Sequence, residues 1–101
     1  IEAKLQATAA PESYTLSIGQ DGIQITYADS AGLYYAMMSI AQLYDARKKS
    51  LPLGLAKDQP NMAFRGLHID VSRNFRSKDF VLQILSKYKS FINSKFFWIT
   101  I

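Results

Sequence analysis

Tyr14, Leu16 and Ile18 alternate with polar residues, as do Ile23, Ile25 and Tyr27, and Gly19-Gln20-Asp21-Gly22 lies between the two runs. Two period-two runs joined by a short glycine-flanked turn predict a β-hairpin. Beyond it, Leu33, Met37, Ile40, Ala41 and Tyr44 recur at helical spacing, with Asp29 or Ser30 placed to cap. The spacing predicts a helix over about 30–45 whose apolar stripe packs on the hairpin. Arg47, Lys48 and Lys49 follow, where cations complement the helix dipole and its free carbonyls.

From Ser50 to Met62 the period is lost, and Pro52, Gly54, Pro60 and Asn61 punctuate the stretch. It reads as a linker over 51–62 between an α+β unit at 1–50 and a second unit at 63–101. That second unit opens with Phe64 to Val71, where Leu67, Ile69 and Val71 alternate with His68, Asp70 and Ser72, a strand pattern. Ser77 caps a helix with Phe80, Val81, Ile84, Leu85, Tyr88 and Ile92 on one side, and Phe96 to Ile101 reads as a further strand. Strand, helix, strand predicts a βαβ unit with parallel pairing and a right-handed crossover.

Charge sharpens this division. Residues 1–46 hold one Lys against five acids, whereas residues 47–101 hold eleven Lys and Arg against three acids. With 101 residues, 49% of them hydrophobic, the chain is globular material of modest size, and no apolar run is long enough to span a bilayer. Because Ile1 opens the chain without Met or a signal-like segment, the sequence is expected to be an excerpt or a processed product.

The chemistry available is narrow. There is no cysteine and a single histidine, His68, so disulfides, thiolate chemistry and a histidine-based zinc site are excluded within these residues. No glycine-rich phosphate loop or metal-ligand cluster occurs, and no cofactor is expected. Charged side chains nevertheless thread the strand of the second unit: Arg65 at its entrance, Asp70 and Arg73 at its exit. A guanidinium can grip two vicinal hydroxyls or a carboxylate through its planar fork. Asp70 and Arg73, three residues apart, otherwise read as an ion pair, and His68 as a structural histidine. Lys87, Lys89 and Lys95 interleave with Tyr88, Phe91, Phe96, Phe97 and Trp98. No nucleic-acid motif accompanies them, so they read as the wet side of a helix followed by an apolar strand, with no nucleic-acid partner.

Two segments carry a resemblance. Pro11-Glu12-Ser13-Tyr14-Thr15-Leu16, Gly22-Ile23-Gln24-Ile25-Thr26 and Ala31-Gly32-Leu33-Tyr34-Tyr35-Ala36-Met37 form the first; Phe64-Arg65-Gly66 through Asp70-Val71-Ser72-Arg73-Asn74-Phe75 form the second. Together they resemble bacterial chitobiases, the β-N-acetylhexosaminidases of glycoside hydrolase family twenty, over about residues 11–85. The first segment is similar to the end of the accessory α+β domain of that family. The second is similar to the first strand and helix of its (β/α)8 catalytic barrel.

The resemblance implies an excerpt of an enzyme that removes terminal N-acetylhexosamine by a retaining, substrate-assisted route. There an Asp orients the substrate acetamido group and the adjacent Glu acts as acid, then base. By the same resemblance Arg65 matches the arginine that binds hydroxyls of the terminal sugar, and Asp70, Arg73 and Asn74 match positions that support that subsite. The partner implied is an N-acetylglucosamine-containing oligosaccharide, and the compartment periplasmic or extracellular.

No position matches the catalytic Asp-Glu pair, so these residues alone are expected to be inactive. The likeness fades from Ser86 onward. Phe97 and Ile99 stand where the family carries two histidines, and the tail uses only Ser, Lys, Tyr, Phe, Ile, Asn, Trp and Thr, as after a shifted reading frame. A truncated barrel segment leaves strand edges and apolar faces unpaired, which predicts self-association. A non-catalytic carbohydrate- or protein-binding module is the alternative reading.

Overall fold

A computed structural model describes residues 1–91 and 96–100. It has an α+β architecture that divides into two compact units, 1–61 and 62–101. The first contains β1 (Glu2–Leu5), β2 (Tyr14–Gly19), β3 (Gly22–Tyr27), α1 (Ser30–Leu43) and β4 (Gly54–Asp58). Its four strands lie in the order β1-β3-β2-β4, with β1 parallel to β3 and the other pairs antiparallel.

The hairpin of β2 and β3 forms as the alternation predicts. Leu16 pairs with Ile25, Tyr14 with Tyr27 and Ile18 with Ile23, so the apolar sets share one face. Gln20 and Asp21 make the two-residue loop, and the positive φ of 146° falls on Gly22. Leu16 and Ile25 are fully buried, and Tyr14, Ile18, Tyr35 and Ala36 complete the core around them. Thr15, Ser17, Gln24 and Thr26 occupy the opposite, polar face.

Two strands escaped the sequence reading. β1 has four residues, all exposed, and its charges Glu2 and Lys4 break any apolar pattern. β4 lies inside the stretch read as a linker, so that stretch is in part a sheet element. Its inward signal is a single small residue, Ala56 opposite Leu16, while Leu55 stays 65% exposed. Pro52 and Pro60 flank it in sequence, which an edge strand tolerates.

Asp29 starts α1 and ties it down. Its Oδ1 accepts from the amide of Gly32 at 2.8 Å, a helix cap, and its Oδ2 accepts from the amide of Glu12 at 2.9 Å, anchoring the loop before β2. The face that docks differs from the one expected. Gly32, Tyr35 and Ala36 are buried, whereas Met37 is 46% and Tyr44 49% exposed, with Leu33 and Ile40 packed only at the margin of the core. The reason is steric: a Cβ on Gly32 would meet the Ser13 carbonyl oxygen at 2.4 Å, so the helix approaches the chain on its small-residue face.

The basic residues also sit elsewhere than expected. No cation lies in the last turn of α1, which ends at Leu43 with Tyr44 as its cap. Instead Asp45 Oδ1 accepts from the amides of Arg47 at 2.9 Å and Lys48 at 3.3 Å, and an Asp45–Ser50 bridge closes the turn.

Tyr14 joins three elements. Its hydroxyl lies 2.6 Å from Ser39 Oγ on α1 and donates to Asp58 Oδ2 on β4 at 3.4 Å. Burial, and secondarily the negative charge of Asp58, raise its pKa above the ordinary 10.0. A neutral phenol is thus favoured by folding, and its contribution is full below pH 10 and lost as pH rises through the folded pKa. Denaturation of Tyr14→Phe against the parent chain at pH 7 and pH 11 is expected to show a gap of about 1 kcal/mol at pH 7 that narrows or reverses at pH 11. A gap that widens at high pH contradicts this reading.

The second unit contains β5 (Gly66–Asp70), α2 (Lys78–Phe91) and β6 (Phe96–Thr100), with β5 and β6 parallel. The Ser77 hydroxyl accepts from the Phe80 amide at 3.2 Å and caps α2. Val81, Ile84, Leu85 and Tyr88 form its half-buried stripe, while Phe80 is 39% exposed. Ile92 and Lys95, assigned above to the helix stripe and the basic tail, lie outside the described residues. No residue from 62 to 88 is fully buried. Among the described residues no helix is long and apolar enough to cross a membrane.

Candidate functional site

The exit of β5 is organised by one carboxylate. Asp70, at the last position of the strand, accepts with Oδ1 from the amides of Ser72 at 2.9 Å and Arg73 at 3.2 Å. An aspartate that takes up the amides two and three residues ahead turns the backbone sharply. The contact between Asp70 and Arg73, expected as an ion pair, therefore runs to the Arg73 backbone. Ser72, Arg73 and Asn74 are exposed on the turn that Asp70 makes, and Phe75 beyond them is 86% exposed. Arg76 lies over the Phe80 ring, 5.2 Å from its centroid, which links the loop to the start of α2.

Arg65 belongs to the other end of the strand. It precedes Gly66, is half-buried, and its Nη1 donates to the carbonyl of Met62 at 2.6 Å. At about 3.3 Å of rise per residue, five residues set Arg65 roughly 16 Å from Asp70. The four residues singled out from the sequence thus fall into two groups: Asp70, Arg73 and Asn74 together after β5, and Arg65 alone before it. His68 is exposed in mid-strand.

The Met62 carbonyl, partner of Arg65, had no signal in the sequence. Phe75 was visible there only as the last letter of the motif string. Among the described residues no three His, Asp or Glu side chains gather as a metal site would require.

Comparison with known proteins bears first on the sheet and helix of the first unit. The model of glycosyl hydrolase family 20, domain 2, matches residues 1–59, a span that includes β4. The chain belongs to glycosyl hydrolase family 20. An N,N'-diacetylchitobiase of Vibrio harveyi is 42% identical over 84 residues, covering 82% of this chain and 10% of that protein. A β-hexosaminidase of Vibrio vulnificus is 34% identical over 96 residues, covering 95% of this chain and 11% of that protein.

The fold agrees with this family membership. A β-N-acetylhexosaminidase from Bacteroides fragilis superposes with a TM-score of 0.83 at 21% identity, over 96% of this chain and 20% of that one. The chain therefore spans about a tenth of the length of the two curated family-20 relatives. The match in both is to hydrolases named for hexosaminide or chitobiose substrates.

Proposed function

We propose that this chain is a portion of a β-N-acetylhexosaminidase that contributes part of the binding site for a terminal N-acetylglucosamine, as the leading segment of its catalytic barrel, and that it does not hydrolyse glycosides by itself. The observation that carries this reading is the turn set by Asp70 at the C-terminal end of β5. In parallel βα units, ligands meet the carboxyl ends of the strands, on the loops that follow them. Arg73 and Asn74 stand on that loop with exposed side chains. A planar guanidinium there can donate to two neighbouring sugar hydroxyls, and the Asn74 amide adds a donor and an acceptor.

This reading moves the sugar contact from Arg65 to Arg73. Arg65 lies at the amino end of β5, the end of a βα unit that serves stability, and it spends Nη1 on the Met62 carbonyl. Its role is to brace the entry into the strand. Asp70 is a positioning residue, because its Oδ1 holds the loop and acts on a ligand only through Arg73 and Asn74.

Hydrolysis by the family's substrate-assisted route requires one carboxylate to orient the acetamido group and a second to move the proton. Residues 62–101 contain two carboxylates, Asp70 and Asp79, and no glutamate. Asp70 is engaged by two backbone amides, and Asp79 sits in the first turn of α2, where its charge suits the helix dipole. Incubation of the chain with a chromogenic N-acetyl-β-glucosaminide is expected to give no release above the buffer blank. Turnover that rises in proportion to protein concentration and survives repurification would sink the claim of inactivity.

A further inference from the structure

The loop that follows β5 is held at both ends. Residues 71–77 connect β5 to α2, and on the strand side Asp70 Oδ1 takes the amides of Ser72 and Arg73. On the helix side two consecutive residues converge on Phe80: Ser77 Oγ accepts from its amide at 3.2 Å, and the Arg76 guanidinium lies 5.2 Å from the centroid of its ring. The Ser77 carbonyl also accepts from the Val81 amide at 3.1 Å. Asn74 and Phe75 lie between the two anchored pairs. The cap uses the backbone of Phe80 and is indifferent to its side chain, whereas the contact with Arg76 requires an aromatic ring.

We propose that Phe80 and Arg76 are positioning residues for the sugar-facing loop: the ring holds the guanidinium, the guanidinium holds the helix-side end of the loop, and Arg73 and Asn74 stand in one arrangement before a ligand arrives. This inference rests on the reading of Arg73 and Asn74 as sugar contacts. Ordering a free backbone segment on binding subtracts from affinity, and a segment ordered in advance avoids that loss. Asp70 supplies such order from the strand side only. Arg76 is the second fixed point, three residues beyond Arg73. The stacking also divides the work of the two loop arginines. A guanidinium drawn over the Phe80 ring is committed there, so Arg73 is the one offered to the sugar.

Variants of the full chain test this clamp. Phe80→Leu removes the ring but keeps an apolar side chain and the capping amide, Phe80→Tyr keeps the ring, Arg76→Gln removes the cation, and a double variant combines Arg76→Gln with Phe80→Leu. An exposed cation–ring contact corresponds to about a two- to fivefold change in an equilibrium constant. Hydrogen exchange of the Ser72 and Arg73 amides is expected to accelerate by that factor in Phe80→Leu and in Arg76→Gln, with the β5 amides unchanged, and affinity for N-acetylglucosamine to fall by the same factor. Phe80→Tyr keeps the parent values, and the double variant is no worse than either single one. Arg76→Gln, a surface substitution, carries the test should Phe80→Leu loosen β5 as well. Unchanged exchange in Arg76→Gln, or losses that multiply in the double variant, overturn the clamp. A parent chain that does not bind the sugar overturns the reading of Arg73 as a sugar contact, and exchange then decides the clamp by the same criteria.

Discussion

Gly32→Ala is expected to destabilise the first unit by about 3 kcal/mol, the upper range for overfilling a packed site. The added methyl would lie 2.4 Å from the Ser13 carbonyl oxygen, 3.2 Å from its carbon and 3.3 Å from the Glu12 carbonyl carbon. All three are backbone atoms, so no side-chain rotation relieves the clash. The backbone they belong to is fixed as well. The Glu12 amide donates to Asp29, the Ser13 carbonyl accepts from the Ala28 amide at 3.1 Å, and Glu12 holds a left-handed φ of 64°. Displacing α1 would break the Asp29 bonds at both ends. Gly54→Ala provides the contrast, because a Cβ there meets nothing within 4 Å. Urea denaturation followed by circular dichroism should show a large fall in midpoint for the first variant and a change within about 0.5 kcal/mol for the second. Equal midpoints would mean that the helix does not approach this closely.

Arg73→Ala is expected to remove most of the affinity of the chain for N-acetylglucosamine, while Arg65→Ala leaves it largely unchanged. A hydrogen bond from a charged donor contributes about 1.5 to 3 kcal/mol when its partner is otherwise desolvated, which corresponds to a tenfold to hundredfold loss of affinity. Arg65→Ala instead removes a bond to the Met62 carbonyl, so its effect belongs on the stability of the second unit. The two substitutions therefore separate by observable: binding for Arg73, unfolding for Arg65. Melting temperatures of both variants beside their sugar affinities are the check. Binding loss in Arg65→Ala at unchanged stability would reverse the assignment.

What the sequence made legible follows from how strongly each element depends on its own pattern. The hairpin was legible because Leu16 and Ile25 must reach one face and strand periodicity allows no other arrangement. The existence of α1 was equally plain, but its docking face was not. The helix has no charged residue between Ser30 and Leu43, so apolar positions surround it and spacing cannot select a side. Close approach at Gly32 and Ala36 decided the matter, and that is a property of the partner backbone at Ser13. β1 and β4 were hidden because edge strands expose most of their side chains and owe their conformation to neighbours distant in sequence.

The candidate site shows the same division. Arg65, Asp70, Arg73 and Asn74 could be picked out as residues, yet their grouping depends on where β5 begins and ends. Charge spacing suggested an ion pair between Asp70 and Arg73. The shorter route from the carboxylate to the backbone amides won, as it commonly does when an aspartate follows a strand. The direction of β5 then places Arg73 and Arg65 at opposite ends, a distinction that two arginines in one motif do not reveal.

The sugar contact is proposed at the carboxyl end of β5, and titration of the isotopically labelled chain with N-acetylglucosamine, followed through its backbone amide signals, tests it most directly. Saturable shifts concentrated at Asp70, Ser72, Arg73 and Asn74, and lost in Arg73→Ala, are the predicted result. Shifts centred on Met62 to Gly66, or no saturable shift at any amide, would contradict it.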